Sequence, residues 1–108
     1  MAIKKSLRKG GRYILFKQHY ENKPKTESEI ILEIKKNVGL IDAPPIKMIH
    51  YDKDYGLIKT NNSGLKKVLI SLILYSEREN RIEVLDSSGT IKSIVERNPE
   101  IEKRIKKN

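Results

Sequence analysis

The chain has 108 residues, 23 of them Lys or Arg against 14 Asp or Glu, which leaves a formal net charge of +9. That length fits one domain with a single core, and that charge favours a polyanionic partner, nucleic acid first among them. The absence of cysteine excludes disulfides, thiolate metal sites and a thiol nucleophile, and suits a reducing cytoplasm. The longest apolar run, Val68 to Tyr75, is too short to span a bilayer, and the basic start lacks the apolar stretch of a signal peptide.

In chain order, Lys4, Lys5, Arg8, Lys9 and Arg12 precede the first acid, Glu21, so residues 1–11 read as a basic arm hinged at Gly10-Gly11. Such an arm grips phosphates by ordering on them; its bland counterpart is a solvated, frayed terminus. Tyr13 to Tyr20 is rich in aromatic and branched residues and reads as a strand. Thr26-Glu27-Ser28-Glu29 supplies a capping box for a helix carrying Ile30, Ile31, Ile34 and Val38 on one side, with Gly39 as its stop. Asp42 to Pro45 forbids regular structure. Ile46 to Tyr51 and Leu57 to Thr60 read as strands around a turn at Asp52 to Gly56. After the break Asn61 to Gly64, Leu65 to Glu77 is the most apolar helix, and Arg81 to Leu85 the fourth strand. A helix follows Thr90 to about Arg97, and Asn98-Pro99 starts another.

The order is strand, helix, strand, strand, helix, strand, then helical tail. This is the α+β, split βαβ pattern of a ferredoxin-like fold: a four-stranded antiparallel sheet, here over residues 12–97, with a basic helical extension at 98–108. Either face of the first strand suits a core. Leu57 to Thr60 supplies none of the third-strand aromatics that an RNA-recognition motif uses, so contact with folded RNA through its backbone is expected rather than base stacking on the sheet. Ile91, Ile94, Val95, Ile101 and Ile105 would let the tail cover the face that such a motif leaves open.

The junction Leu85-Asp86-Ser87-Ser88-Gly89-Thr90-Ile91-Lys92 carries the sharpest chemistry. A helix start leaves N–H groups unpaired, Ser88 and Thr90 offer donors, and Gly89 lets a phosphate approach the backbone. Structural capping is the commoner role of Ser and Thr at such a place, and the excess of basic residues tilts the balance toward phosphate. On the apolar helix, Leu65, Val68, Leu69, Leu72 and Ile73 provide a face for the sheet, while Ile70 and Leu74 are left over. Leu65, Ile70 and Leu74 are the candidate contacts for a protein partner or a second copy of the chain.

No catalytic constellation and no metal-ligand spacing is present. His19 and His50 lie within strands, where a lone histidine is a packing or surface residue, and Asp52-Lys53-Asp54 lacks the remaining ligands of a calcium loop.

The element order, the run Lys47-Met-Ile-His-Tyr-Asp-Lys-Asp-Tyr-Gly-Leu-Ile-Lys-Thr-Asn61, the apolar helix and the Ser88-Gly89-Thr90-Ile91 turn together resemble the archaeal Pop-five subunit family, ribonuclease P protein component 2. The resemblance spans roughly Gly11 to Ile94 and includes a strand-turn-strand ending in a basic residue, here Lys59. It implies a non-catalytic subunit of the ribonucleoprotein that removes the 5′ leader of precursor tRNA. In that family the RNA does the chemistry with Mg²⁺ that it holds itself, no cofactor sits on this subunit, and a TIM-barrel-like subunit, protein component 3, works beside it. The expected RNA contacts are Lys4, Lys5, Arg8, Lys9, Arg12, Lys59, Ser88, Gly89, Thr90 and Lys92. Two rivals stay open: a ribosomal or general structured-RNA-binding protein, and a small ferredoxin-like ligand-binding regulatory module, which the excess of basic residues disfavours.

Overall fold

The computed structural model describes residues 11–38, 44–74 and 80–106. The elements run β1 (Gly11–Tyr20), α1 (Glu27–Val38), β2 (Lys47–Tyr51), β3 (Tyr55–Asn61), α2 (Leu65–Leu74), β4 (Asn80–Ser88) and α3 (Ile91–Arg97), then a 3₁₀ turn (Pro99–Ile101) and α4 (Glu102–Lys106). The strands form one antiparallel sheet in the order β2-β3-β1-β4, the ferredoxin-like arrangement. The capping box forms as its spacing predicts: the Glu29 N–H donates to Thr26 Oγ1 (3.2 Å) and the Thr26 N–H to Glu29 Oε1 (2.8 Å). The helix stop at Gly39 and the end of the apolar helix beyond Leu74 lie outside the described residues.

The sheet is buried on both faces. Ile14, Phe16, Ile58 and Ile82 pack against Ile30 and Ile34 of α1 and Val68 and Leu72 of α2. Leu15 and Leu57 point the other way and are sealed by Ile94 of α3 and Ile101 of the 3₁₀ turn. The C-terminal extension thus covers the face opposite α1 and α2. This explains why Ile14-Leu15-Phe16 is continuously apolar: a strand covered on both sides cannot alternate apolar with polar.

Three strands are longer than their composition predicts, β1 because it starts at Gly11, which pairs with Asn61. β3 starts at Tyr55 because Asp52 Oδ1 accepts from the Asp54 and Tyr55 N–H groups (3.1 and 2.8 Å), closing the turn early with Lys53 at φ 79°. β4 continues to Ser88 because Asp86, Ser87 and Ser88 pair with Leu15, Ile14 and Tyr13, past a bulge at Leu85. Ile73 also departs from expectation. It is 66 % exposed rather than on the sheet, because Leu65, Val68, Leu69 and Leu72 fill that arc and buried Ser71 turns toward α1, its hydroxyl donating to the Ile34 carbonyl (3.4 Å).

Two carboxylates fasten the extension. Asp86 accepts from Arg97 Nε (3.0 Å) and Nη2 (2.9 Å) and from Asn98 Nδ2 (2.9 Å). Asp52 accepts from Arg104 Nη1 (2.8 Å) and meets His50 Nε2 at 3.1 Å. The Arg97 guanidinium holds the Asp86 carboxyl below the usual range. Burial pushes Asp52 up, but hydrogen bonds from the Tyr55 N–H, Arg104, His50 and the Asp54 N–H outweigh it and leave a net lowering. At the same end as Asp52, Gln18, only 2 % exposed, joins three segments: Nε2 donates to Tyr51 Oη (2.6 Å) and the Lys53 carbonyl (2.7 Å), and Oε1 accepts from the Lys25 N–H (3.0 Å).

Phe16 lies directly opposite Gly56, and a Cβ at Gly56 would sit 2.1 Å from the Phe16 ring. Gly56→Ala is therefore expected to cost about 1–3 kcal/mol through overpacking, read from the urea midpoint; an unchanged midpoint would contradict this packing. Carboxyls lowered in the folded state add stability above the usual carboxylate range and lose it as pH falls through their lowered values. The melting temperature should accordingly hold from neutral pH to about 5 and drop below about pH 4, with a shallower drop in Asp86→Asn. A drop equally steep in that variant would show that Asp86 does not contribute.

Candidate nucleic-acid interface

The split βαβ connectivity brings the start of β1, the start of β2 and the ends of β3 and β4 to one end of the sheet. There the register lines up Lys47, Lys59, Tyr13 and Ser88 in one row across all four strands. Lys47 and Lys59 are exposed and directly opposed, an arrangement that repels unless an anion neutralises it. Lys59 Nζ lies 5.8 Å from the centroid of the Tyr13 ring.

In the next row Arg12 opposes Thr60. Arg12 Nε and Thr60 Oγ1 are both buried without a hydrogen-bond partner among the described residues. Arg12 Nη1 lies 3.2 Å from where a Cβ would stand on Gly89, so the small residue there gives the guanidinium its place against the turn. Lys66 and Lys67 open α2 just beyond β3, and Lys35 and Lys36 close α1 at this same end.

The hydroxyls of the Ser88-Gly89-Thr90 turn are engaged locally. Thr90 is the N-cap of α3: its Oγ1 accepts from the Ser93 N–H (3.1 Å) and donates to Ser93 Oγ (3.0 Å), while Ser88 Oγ accepts from the Thr90 N–H at 3.4 Å. The turn holds its shape with those hydroxyls. Lys92 is exposed in the first turn of the helix that follows.

A groove of about 390 Å³ lined by Gly11, Tyr13, Lys59, Gly89, Thr90 and Ile91 runs along this end. A second of about 300 Å³, between Pro45 to Lys47 and Lys59 to Asn61, shares Gly11 and Lys59 with it. Among the described residues the ion pairs lie elsewhere, as His19–Glu83, His50–Asp52, Arg97–Asp86 and Arg104 with Asp52 and Asp54. None includes Arg12, Lys47, Lys59, Lys66, Lys67 or Lys92. No three His, Cys, Asp or Glu side chains gather among the described residues as a metal site would need.

Of the residues expected to meet RNA, Arg12, Lys59, Ser88, Gly89 and Thr90 thus share one end of the sheet, with Lys92 one helical turn on. Lys4, Lys5, Arg8 and Lys9 lie outside the described residues. Sequence reading missed Lys47, Lys66, Lys67 and Tyr13; the signal available for the lysines was connectivity, since Lys47 opens β2 and Lys66 and Lys67 follow the end of β3. The expected protein contacts divide. Ile70 is 50 % exposed and shares an outer stripe with Ile73, and Leu32 of α1 is also exposed; Leu65 is partly buried against the core, and the Leu74 side chain lies outside the described residues.

No protein-family model and no curated protein matches the chain. A chain in the cryo-EM structure of yeast ribonuclease MRP is similar in fold, with a TM-score of 0.62 at 12 % identity, covering 90 % of this chain and 97 % of that one.

Replacing one member of the opposed lysine pair removes its repulsion. Lys47→Glu should raise the urea midpoint, and high salt should erase the gain; a lowered midpoint at low salt would show that the two ammonium groups do not face each other as the register places them.

Proposed function

We propose that this chain is an RNA-binding protein subunit of a ribonucleoprotein endoribonuclease, and specifically of ribonuclease P, the enzyme that removes the 5′ leader of precursor tRNA. The observation that carries this reading is the set of cations at one sheet end that have no carboxylate partner among the described residues. The fold likeness to a chain of yeast ribonuclease MRP supports it, as do the motifs at Lys47 to Asn61 and Ser88 to Ile91. Arg12, Lys47, Lys59 and Lys92 neutralise RNA phosphates that otherwise repel one another, which lowers the Mg²⁺ the RNA needs for its active fold. Lys4, Lys5, Arg8 and Lys9 extend that contact along the chain, and Gly89 keeps the Arg12 guanidinium against the turn. The Ser88 and Thr90 side chains shape the site from within.

The chain itself supplies no acid, base or metal ligand to the cleavage. The RNA carries the chemistry, with the Mg²⁺ that it holds, in a cytoplasmic particle. The outer stripe of Ile70 and Ile73 is the seat of a neighbouring protein subunit, protein component 3, since two large apolar side chains on one helix face gain most by leaving water together.

Cleavage of a precursor tRNA by ribonuclease P RNA at limiting Mg²⁺, with this chain and component 3 present or each omitted, tests the whole reading. Activity is expected to require both proteins. No effect on cleavage, alongside salt-sensitive RNA binding, would assign the chain to general structured-RNA binding instead. Ile70→Asp with Ile73→Asp should abolish co-sedimentation with component 3 while the melting temperature holds, and an intact complex would remove that stripe as the interface.

A further inference from the structure

The sequence Tyr-x-Leu-x-Lys occurs twice, as Tyr13-Ile14-Leu15-Phe16-Lys17 in β1 and as Tyr55-Gly56-Leu57-Ile58-Lys59 in β3. The two copies pair antiparallel, with Tyr13 against Lys59, Leu15 against Leu57 and Lys17 against Tyr55. Each tyrosine ring therefore receives the lysine of the other copy, at 5.8 Å for Lys59 on Tyr13 and 5.7 Å for Lys17 on Tyr55. The central strands carry a local two-fold repeat on the sheet face that α3 and α4 cover.

The chain breaks this symmetry itself. On Tyr55 the planar guanidinium of Arg104 lies 4.8 Å from the ring centroid, held there by Asp52 at 2.8 Å and Asp54 at 3.5 Å. Among the described residues Tyr13 has no such second cation. The corresponding place is the groove of about 390 Å³ between Gly11, Lys59, Gly89, Thr90 and Ile91, within the range of about 300–1,000 Å³ typical of small-molecule sites.

We infer that this groove takes one unpaired nucleotide of an RNA strand, its base stacked on Tyr13 in the place that Arg104 takes over Tyr55. Lys59 exchanges the ring for the nucleotide's phosphate, beside Lys47 in the same row, which relieves the repulsion between the two lysines. A base and a guanidinium are both flat and both favoured by an aromatic face, whereas a double helix presents only its backbone to such a groove. The inference rests on the RNA-binding reading above and adds that the RNA offers an unstacked base here.

The test is fluorescence anisotropy of the full chain with fluorescein-labelled heptauridylate and, separately, with a blunt RNA duplex. Tyr13→Leu is expected to weaken heptauridylate about tenfold and Tyr13→Phe to restore it, with the loss on the duplex several-fold smaller. Equal losses on both RNAs, or none on heptauridylate, would overturn the stacking site while leaving RNA binding in place. Failure of the unaltered chain to bind either RNA would overturn both readings together. A variant-free measurement guards against a folding defect in Tyr13→Leu: irradiating the unaltered chain with heptauridylate carrying one 5-bromouridine should place the adduct on Tyr13, and adducts confined to other residues would overturn the assignment.

Discussion

Everything in this architecture follows from the burial of β1 on both faces. Ile14 and Phe16 commit one side of the sheet to α1 and α2, and Leu15 commits the other to α3 and the 3₁₀ turn. A domain of 108 residues has little apolar surface to spare, so the C-terminal extension is part of the core rather than an appendage. Once both faces are covered, only the ends and edges of the sheet remain for a large partner. That is why the candidate site sits where four strand termini meet and not on an open platform of the RNA-recognition type.

Charge is divided along the same lines. Asp52 and Asp86 are spent on Arg104 and Arg97, fastening the extension at two points. Among the described residues the cations at the strand ends have no carboxylate partner, and two of them oppose each other across β2 and β3. Surface pairs of like charge weaken a sheet, so the sheet end forgoes some stability in this arrangement. The row is compact because the register fixes it, which makes it a directional site rather than a diffuse basic surface.

Local chemistry was the most readable part of the sequence. The capping box at Thr26 and Glu29, the hairpin turn opening at Asp52 and the split βαβ order were each expected, and each is found in the fold. What escaped reading depends on pairing at long range. Tyr55 and Gly56 looked like turn and are strand, because the turn closes through Asp52 Oδ1 two residues sooner. Asp86 to Ser88 looked like loop and is strand, because β1 offers it partners. Ile73 looked like core and is exposed, because small Ser71 takes the inward position toward α1. Thr90 could be read as cap or as phosphate ligand; its partners Ser93 N–H and Oγ assign it the capping role in this structure.

The placement of Ile94 and Ile101 also bears on how the chain reaches this state. Leu15 emerges early in synthesis, and the residues that seal it come some eighty positions later, so the second core cannot close while the chain is still being made up to that point. Until then β1 and β3 can assemble with α1 and α2 on one side only, leaving Leu15, Leu57, Tyr13 and Tyr55 in water. Closing a contact of such sequence separation is slow compared with forming a helix or a hairpin. Until the extension packs, the sheet has a face that is both apolar and basic, and its packing is what leaves only the ends and edges of the sheet open.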